Sequence, residues 1–400
     1  MSSPLSVDVA ILGGGPAGST LAALLADRGV HVALIDRDAF PRDKLCGEFL
    51  SYDALPILHH LGVGEEIDAR GAAQVTRCRV IGERTVYEFS LPSPARGVSR
   101  LLLDEALIRT AAKKGARVMA AWTAVRVAPG ANGSRSVELR RGAETHLLNA
   151  RIVVGAWGRW GRFDKEMKRQ FADDATHRHF GFKRHYRPLT NEAQDSIDLY
   201  SFGQGYLGVS AIEGGLVNIC GLVHRSRIAG LKGGWDHFVV TLSEEKATLR
   251  RLFASNTPAQ KDFLSSEPVI FRAKSAVEQG IYMIGDAAGL IDPLTGNGMA
   301  MAIQSALVAA PHILQRLTST SDETENAARY AVAYKNFFHN RIAWSRRIAF
   351  LLSRPGLLEQ TMRLSAAPSI GAFLLKKTRA EGRSVEQMLE RWDSGRPVAV

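Results

Sequence analysis

The chain has 400 residues, with 46% hydrophobic and 23% charged side chains, which suits a globular protein of two intertwined domains. Its net charge is +11, and between Arg329 and Val400 there are 13 Lys and Arg against five Asp and Glu, so most of the excess lies in the C-terminal tail. The absence of any long uncharged apolar run, of a basic-then-apolar leader and of paired cysteines (only Cys46, Cys78 and Cys220 occur) speaks against a spanning helix, a secretory signal, a disulfide framework and a metal site, and makes a reducing cytoplasm the expected home.

The apolar, β-branched run Val7–Leu12 predicts a strand. Gly13-Gly14-Gly15-Pro16-Ala17-Gly18 follows at once. Ser19–Arg28 has helical spacing, with Leu21, Leu24 and Leu25 on one face and Gly29 as the stop. His31–Ile35 is a second strand, ending at Asp36 and Arg37. This order is a βαβ unit around a GxGxxG turn. Gly13 permits the tight turn, Gly15 lets backbone N–H groups approach a pyrophosphate, and Gly18 lets helix and strand pack closely. Pro16 and Ala17 open a helix whose N-terminus offers unpaired donors to phosphate. Asp36 can accept hydrogen bonds from ribose hydroxyls, and Arg37 beside it joins the cofactor-binding candidates.

Pro41-Arg42-Asp43-Lys44-Leu45-Cys46-Gly47-Glu48 comes next. A thiol reacts as thiolate, and Lys44 and Arg42 are expected to favour that form at Cys46. Arg100–Lys114 predicts a helix. Val118–Val127, Ser136–Arg140, Thr145–Leu147 and Arg151–Val154 predict strands, the last entering Gly155-Ala156-Trp157-Gly158. Arg178–Val223 reads as an antiparallel sheet, and Trp235–Phe253 as one helix. Ile281–Ile284 is a buried strand leading into Gly285-Asp286-Ala287-Ala288-Gly289. Asp292-Pro293-Leu294-Thr295-Gly296-Asn297-Gly298 then opens a helix to Leu317. The remainder is helical, broken at Pro355 and Pro368.

This second motif points to FAD rather than NAD. Asp286 at a strand end can hydrogen-bond a ribityl chain. Pro293 and Gly296–Gly298 bring helix N–H groups to face the negative charge of a reduced flavin. The expected fold is α/β: a Rossmann-type FAD-binding domain (residues 1–75, 98–165 and 268–320), an inserted antiparallel sheet for substrate (76–97 and 166–267) and a helical C-terminal segment (321–400).

GGGPAG with Asp36, Arg100 in SRLLLDEAL, the GAWG turn and GDAAGLIDPLTGNGMAMAIQSA together resemble the class A flavoprotein monooxygenase and geranylgeranyl reductase superfamily, of para-hydroxybenzoate-hydroxylase-like fold. The resemblance covers roughly residues 5–320 and is specific for FAD. It implies that Arg100 lies near flavin and pyrophosphate, and that Cys46 and Gly47 pass beside the isoalloxazine ring. The W-x-W-x-I-P segment of flavin-dependent halogenases is not visible. The Y-x-W-x-F-P segment of geranylgeranyl reductases keeps only Tyr206; Gly208, Ser210 and Ala211 replace its Trp, Phe and Pro. An aromatic side chain buries roughly 150–250 Å², so losing two reshapes any prenyl pocket. Where the aromatic hydroxylases carry Asp, this chain has Trp157, which could stack on a ring but accepts no hydrogen bond.

The expected activity is hydroxylation of an apolar or aromatic small molecule in secondary metabolism, through a flavin C4a-hydroperoxide. NAD(P)H or a separate flavin reductase supplies electrons, and Cys46 and Tyr206 are the catalytic candidates. The alternatives are a flavin C=C reductase of a prenyl or polyene lipid, and a non-catalytic flavin-binding or carrier-docking protein. The aromatic and arginine-rich tail (Phe337, Trp344, Phe350, Arg346, Arg347) suits a packed helix, an anionic lipid surface or a carrier protein. No nucleic-acid motif accompanies the charge.

Overall fold

A computed structural model of the chain describes residues 5–169, 171, 178–190, 194–228, 233–266, 269–271, 274–319, 323–364, 369–380 and 382–395. The βαβ unit is β1 (Leu5–Leu12), α1 (Pro16–Asp27) and β2 (Val32–Asp36). The helix starts at Pro16 rather than Ser19, because a proline in the first turn sacrifices no intrahelical bond. After β3 (Phe49–Leu50), α2 (Leu55–His60) and α3 (Val63–Ala69) comes a hairpin with no counterpart in the predicted elements, β4 (Ala73–Ile81) and β5 (Val86–Gly97). Pro92 and Pro94 lie within β5 and hide its period.

Helix α4 (Arg100–Lys113) leads to β6 (Arg117–Ala120), β7 (Thr123–Pro129), β8 (Arg135–Arg141) and β9 (Glu144–Gly155). The strand expected over 118–127 breaks at Ala121, whose φ of 60° lies in the left-handed region. Conversely, two expected strands merge into β9, because Leu148–Gly155 runs parallel along β1 while the preceding residues pair with β8.

After α5 (Arg162–Glu166) come β10 (Arg178–Pro188), β11 (Ser196–Phe202), β12 (Gly205–Ile212) and β13 (Leu216–His224). Helices α6 (Arg225–Ile228), α7 (Gly234–Glu245) and α8 (Ala247–Ala254) follow; the single helix expected over 235–253 is interrupted by extended backbone at Lys246. Short strands β14 (Asn256–Pro258), β15 (Leu264–Ser265), β16 (Val269–Ile270), β17 (Val277–Glu278) and β18 (Ile281–Met283) precede α9 (Gly298–Thr318). The C-terminal segment is α10 (Glu323–Leu352), α11 (Pro355–Leu364), α12 (Ser369–Thr378) and α13 (Gly382–Asp393). Pro355 opens α11, as expected of a break; Pro368 lies outside the described residues. Among the described residues, no helix is long and apolar enough to cross a membrane.

The strands form two sheets. The first runs β17-β18-β9-β1-β2-β6, parallel from β18 to β6, with β8 and β7 added beyond β9. Helix α1 lies against it beneath α4 and α9, so Leu21–Leu25 are covered on every side. An α/β architecture with an inserted sheet and a helical C-terminus is therefore present. The second sheet runs β14-β10-β13-β12-β11-β4-β5-β3. Alternation gives it two unlike faces. Phe182, Leu207, Val209, Val217 and Ile219 pack under Phe238, Leu242 and Leu249 of α7 and α8. The other face turns toward the first sheet's loops.

Candidate functional site

The C-terminal end of β1 and the start of α1 meet in a turn that only glycine can make. Gly13 has φ 122°, and a Cβ there would sit 2.2 Å from the carbonyl oxygen of Ala156. At Gly18 a Cβ would sit 1.8 Å from the Gly13 carbonyl oxygen. Gly15 is different. The nearest atoms to a Cβ there are guanidinium nitrogens of Arg100 (3.8 Å) and Arg42 (4.0 Å). The turn is therefore bordered at ordinary contact distance by two cations, and no side chain caps the N-terminus of α1, which Pro16 and Ala17 open.

Asp36 ties this turn to the end of β2. Its carboxylate accepts the N–H of Gly14 (2.7 Å) and of Asp38 (2.9 Å), and Arg42 approaches at 3.3 Å. Arg42 also donates to the buried Asp104 (2.6 Å), which Arg100 grips with Nε (2.7 Å) and Nη2 (2.6 Å). Burial alone would lower the Arg100 guanidinium, but Asp104 overrides it and holds it above its ordinary value. Arg37 stands apart: its side chain is exposed, 3.7 Å from Asp38, so Arg42 takes the position at the turn. Arg42 was legible in the Pro41–Glu48 motif, but only its tertiary partners distinguish it from Arg37.

The Cys46–Glu48 segment corrects a second expectation. Lys44 is paired with Asp38 (2.6 Å) and Arg42 with Asp36 and Asp104, so neither activates the thiol. Burial raises the Cys46 thiol, against the pull of Arg100 and Lys183. A Cβ at Gly47 would meet nothing within 4 Å. Glu48 is fully buried and accepts from Lys183 Nζ (2.6 Å) and from the N–H of Arg100 (2.8 Å), and it pairs with His185 Nε2 (2.7 Å). Lys183 also reaches Asp43 (2.5 Å). Asn218 Nδ2 donates to the Cys46 carbonyl (3.0 Å). None of Glu48, Lys183, His185 and Asn218 was a candidate from sequence. The available signal was a lysine and a histidine on alternate positions of a strand rich in rings and arginines.

The β18–α9 half completes the groove. Gly285 adopts φ 59°, and its N–H is held by Ser305 Oγ (2.8 Å). The Asp286 carboxylate has no hydrogen-bond partner among the described residues; burial raises it, while Arg159, Lys274 and Arg100 pull it down. Beneath it, Lys274 Nζ donates to the Asp286 carbonyl (2.7 Å), and burial lowers its ammonium to about 8. Asp292 caps the short turn begun by Pro293. Tyr206 donates to Asp292 (2.8 Å), and burial raises that carboxyl to about 6. The Tyr206 hydroxyl is thus engaged with this loop. Gly296 has φ 61°, and Phe49 lies where its Cβ would be. Asn297 is buried and donates to the Thr378 carbonyl, tying the loop to α12. Gly298 starts α9 with no side-chain cap, and a Cβ there would meet nothing within 4 Å.

Gly47 and Gly298 thus open onto space and Gly15 meets only the ends of two arginines, while Gly13 and Gly18 are packed. An unpartnered carboxylate, two arginines and two uncapped helix N-termini border that space. This donor and acceptor set fits a diphosphate-linked, polyol-bearing flavin nucleotide.

The model of the FAD binding domain family matches residues 6–328. The chain belongs to this family. A menaquinone reductase of Mycolicibacterium smegmatis is 27% identical over 88% of this chain and 86% of its own length. A tryptophan 2-halogenase of Chondromyces crocatus is 25% identical over 87% of this chain and 68% of its own length. Among solved structures, the flavin-dependent brominase Bmp2 superposes with a TM-score of 0.77 at 20% identity, covering 97% of this chain and 99% of that one. A geranylgeranyl bacteriochlorophyll reductase-like protein of Thermoplasma acidophilum gives 0.74 at 20% identity, over 96% and 100%. The protein is an FAD-dependent oxidoreductase of this family.

Proposed function

We propose that this protein is a monooxygenase that hydroxylates an apolar or aromatic small molecule of secondary metabolism. The observation that carries this reading is the sheet face turned toward the groove. One row across it reads Lys183, Cys220, Gly208, Leu199 and Val80. The next contains His185, Asn218 and Ser210. One end is ionic and the other aliphatic, with no ring at Gly208 or Ser210. A Cβ at Gly208 would make only ordinary contacts, 3.6 Å to Leu199 and 3.9 Å to Ile197. Such a recess suits a compact molecule with one polar end better than a ring-gripped prenyl chain.

FAD, when bound, supplies the electrons and the activation of oxygen. The chain's own work is positioning and exclusion of water. Arg42, Arg100 and the N-terminus of α1 would hold the diphosphate, and Asp286 the ribityl hydroxyls. Asp36 remains the ribose candidate beside the turn. The Tyr206–Asp292 hydrogen bond locks the flavin-side loop to the sheet, which gives Tyr206 a positioning role. The N-terminus of α9 would face the charge of the reduced ring. Segments 1–75, 98–165 and 268–320 would form the FAD-binding domain, and 76–97 and 166–267 the substrate domain.

Trp157 does not serve as a free stacking platform: its indole fills the space beside Gly155 and Gly161 and donates to Asp164 (3.2 Å). This supports a separate flavin reductase as electron donor over direct NAD(P)H reduction. The relatives that brominate and chlorinate a carrier-bound pyrrole-2-carbonyl group, 26% and 23% identical, support a carrier-bound substrate. A carrier or an anionic lipid surface would meet the face where Arg354 stacks on exposed Phe350 and Arg347 on Trp344.

The second reading is C=C reduction of a prenyl lipid. The menaquinone reductases favour it, at 27–28% identity over most of the chain. So do Leu352 and Leu358, which wall the aliphatic end beside Tyr206. Turnover under ¹⁸O₂ with an alkylphenol and a menaquinone as probes separates the two. Label in the hydroxylated product supports the monooxygenase; anaerobic addition of two hydrogens to the prenyl chain overturns it.

A further inference from the structure

Besides the charges that border the groove, a second ionic cluster is buried against the Cys46–Glu48 segment. Glu48 accepts three hydrogen bonds, has no exposed surface and holds φ 56°. A left-handed backbone is unfavourable for a non-glycine residue. That cost is sustained at the residue whose carboxylate joins Lys183 to His185. A lone anchor for the Cys46–Gly47 loop would need one cation, not a cation and an imidazole in line.

We propose that Asp43, Lys183, Glu48 and His185 form a proton path from solvent to the boundary of the two sheets. The inference rests on the reading that the Cys46–Gly47 segment lies beside the flavin, and it serves hydroxylation and C=C reduction alike. Either reaction exchanges protons in a site that excludes water, so those protons must cross protein.

The links are all within hydrogen-bond range. Asp43, whose side chain is 23% exposed, is the outer end. Lys183 Nζ bridges Asp43 (2.5 Å) and Glu48 (2.6 Å), and Glu48 reaches His185 (2.7 Å). His185 sits opposite Asn218, two pairs along from Lys183 and Cys220, on the face that carries Gly208. A proton taken up at Nδ1 of His185 releases the one on Nε2 to Glu48; Glu48 passes it to Lys183 as Lys183 yields one to Asp43, and Asp43 gives it to solvent. Nothing is oxidised or reduced along the path. Two carboxylates face one ammonium, so a proton shared by Glu48 and His185 brings the cluster to neutrality. Burial alone would lower the Lys183 ammonium, but Glu48 and Asp43 hold it above its ordinary value. The neighbouring groups do not compete. Arg100 is engaged by Asp104 and Lys44 by Asp38, while burial raises the thiols of Cys46 and of Cys220, the latter to about 12.

The test uses the full-length, FAD-loaded protein. Dithionite-reduced enzyme is mixed with oxygenated buffer in H₂O and D₂O across pH, and the His185 ring is followed by ¹⁵N NMR in the oxidised form. Asp43→Asn and Glu48→Gln are expected to slow reoxidation by roughly 10²-fold, the size of a lost acid–base contribution, and to shift its pH profile. Glu48→Gln is also expected to change the ¹⁵N chemical shift of His185 Nε2, which loses its carboxylate partner. Asp43→Asn decides the matter if Glu48→Gln fails to load FAD, because Asp43 is partly exposed and at the far end. A wild-type rate, isotope effect and pH profile in Asp43→Asn overturn the path and leave a structural ion pair. Gly47→Val tests the underlying placement separately: an unchanged flavin spectrum and FAD retention would remove the flavin from this segment without bearing on the proton measurements.

Discussion

The turn at Gly13–Gly18 and the cluster around Glu48 border the same groove but are built by opposite means. In the turn, backbone meets backbone so closely that a single carbon atom has no place: 2.2 Å at Gly13 and 1.8 Å at Gly18. In the cluster, the side chains of residues 43, 48, 183 and 185 and the backbone N–H of Arg100 converge from a loop, a helix start and a distant strand. The turn is a local object, readable as a six-residue motif. The cluster exists only because β10 lies over the Cys46–Glu48 segment. Where geometry is local, the residue type is dictated by volume; where it is assembled, residue type is dictated by charge balance.

The sharpest way to break this contrast is within the turn. Gly18→Ala should abolish folded, FAD-loaded protein, because relief of a 1.8 Å approach to a backbone oxygen requires opening the turn. The expected loss exceeds the roughly 1–3 kcal/mol of ordinary overpacking. Gly15→Ala should leave the denaturation midpoint unchanged and lower FAD retention, since its side meets only the Arg100 and Arg42 guanidinium ends at ordinary contact distance. Equal stability losses for the two would refute the distinction.

The cluster should respond to loss of charge. Lys183→Met leaves Glu48 buried without its cation, and a broken buried pair costs about 3–5 kcal/mol. Chemical denaturation at pH 7 measures this; a loss near zero would show that charge balance does not hold the cluster together.

His312 is the converse of Lys183: buried in α9, with neither ring nitrogen hydrogen-bonded, and burial lowers it to about 4. Above pH 6.5 it is neutral in the folded and unfolded chains alike. As pH falls from 6.5 to about 4, the unfolded chain gains a proton that the folded chain refuses, so stability is lost. His312→Leu should remove this acid-side loss, on the order of 3 kcal/mol at pH 4, with the gap closing toward pH 7. Thermal melts across that range decide; a constant gap would assign the effect to packing instead.

The smallest effect belongs to Arg37. Exposed and loosely paired with Asp38, it should tolerate alanine within about 0.5 kcal/mol. Titration of FAD into the apoprotein should give wild-type affinity, whereas Arg42→Ala weakens it.

Much of the fold could be read from sequence where a period or a turn residue was present. The βαβ unit, the strands of 178–223 and the helix after Gly298 all follow from apolar spacing and glycine placement. The β4–β5 hairpin escaped because Pro92 and Pro94 interrupt its alternation. The helix over 235–253 was read as one because Lys246, where the backbone turns extended, looks like any solvated helical residue.

For the site, the chain alone determined the βαβ turn, the order of the two glycine-rich halves and the choice of FAD as cofactor. These depend on backbone conformation and on residues near one another in sequence. Only the tertiary structure decided that Arg42 rather than Arg37 reaches the turn, that the Cys46 thiol is buried rather than activated, that Tyr206 is engaged with Asp292, and that Glu48, Lys183 and His185 meet. Each of those depends on which charges share a buried volume, and the energy of a buried charge is set by its partners, wherever along the chain they originate.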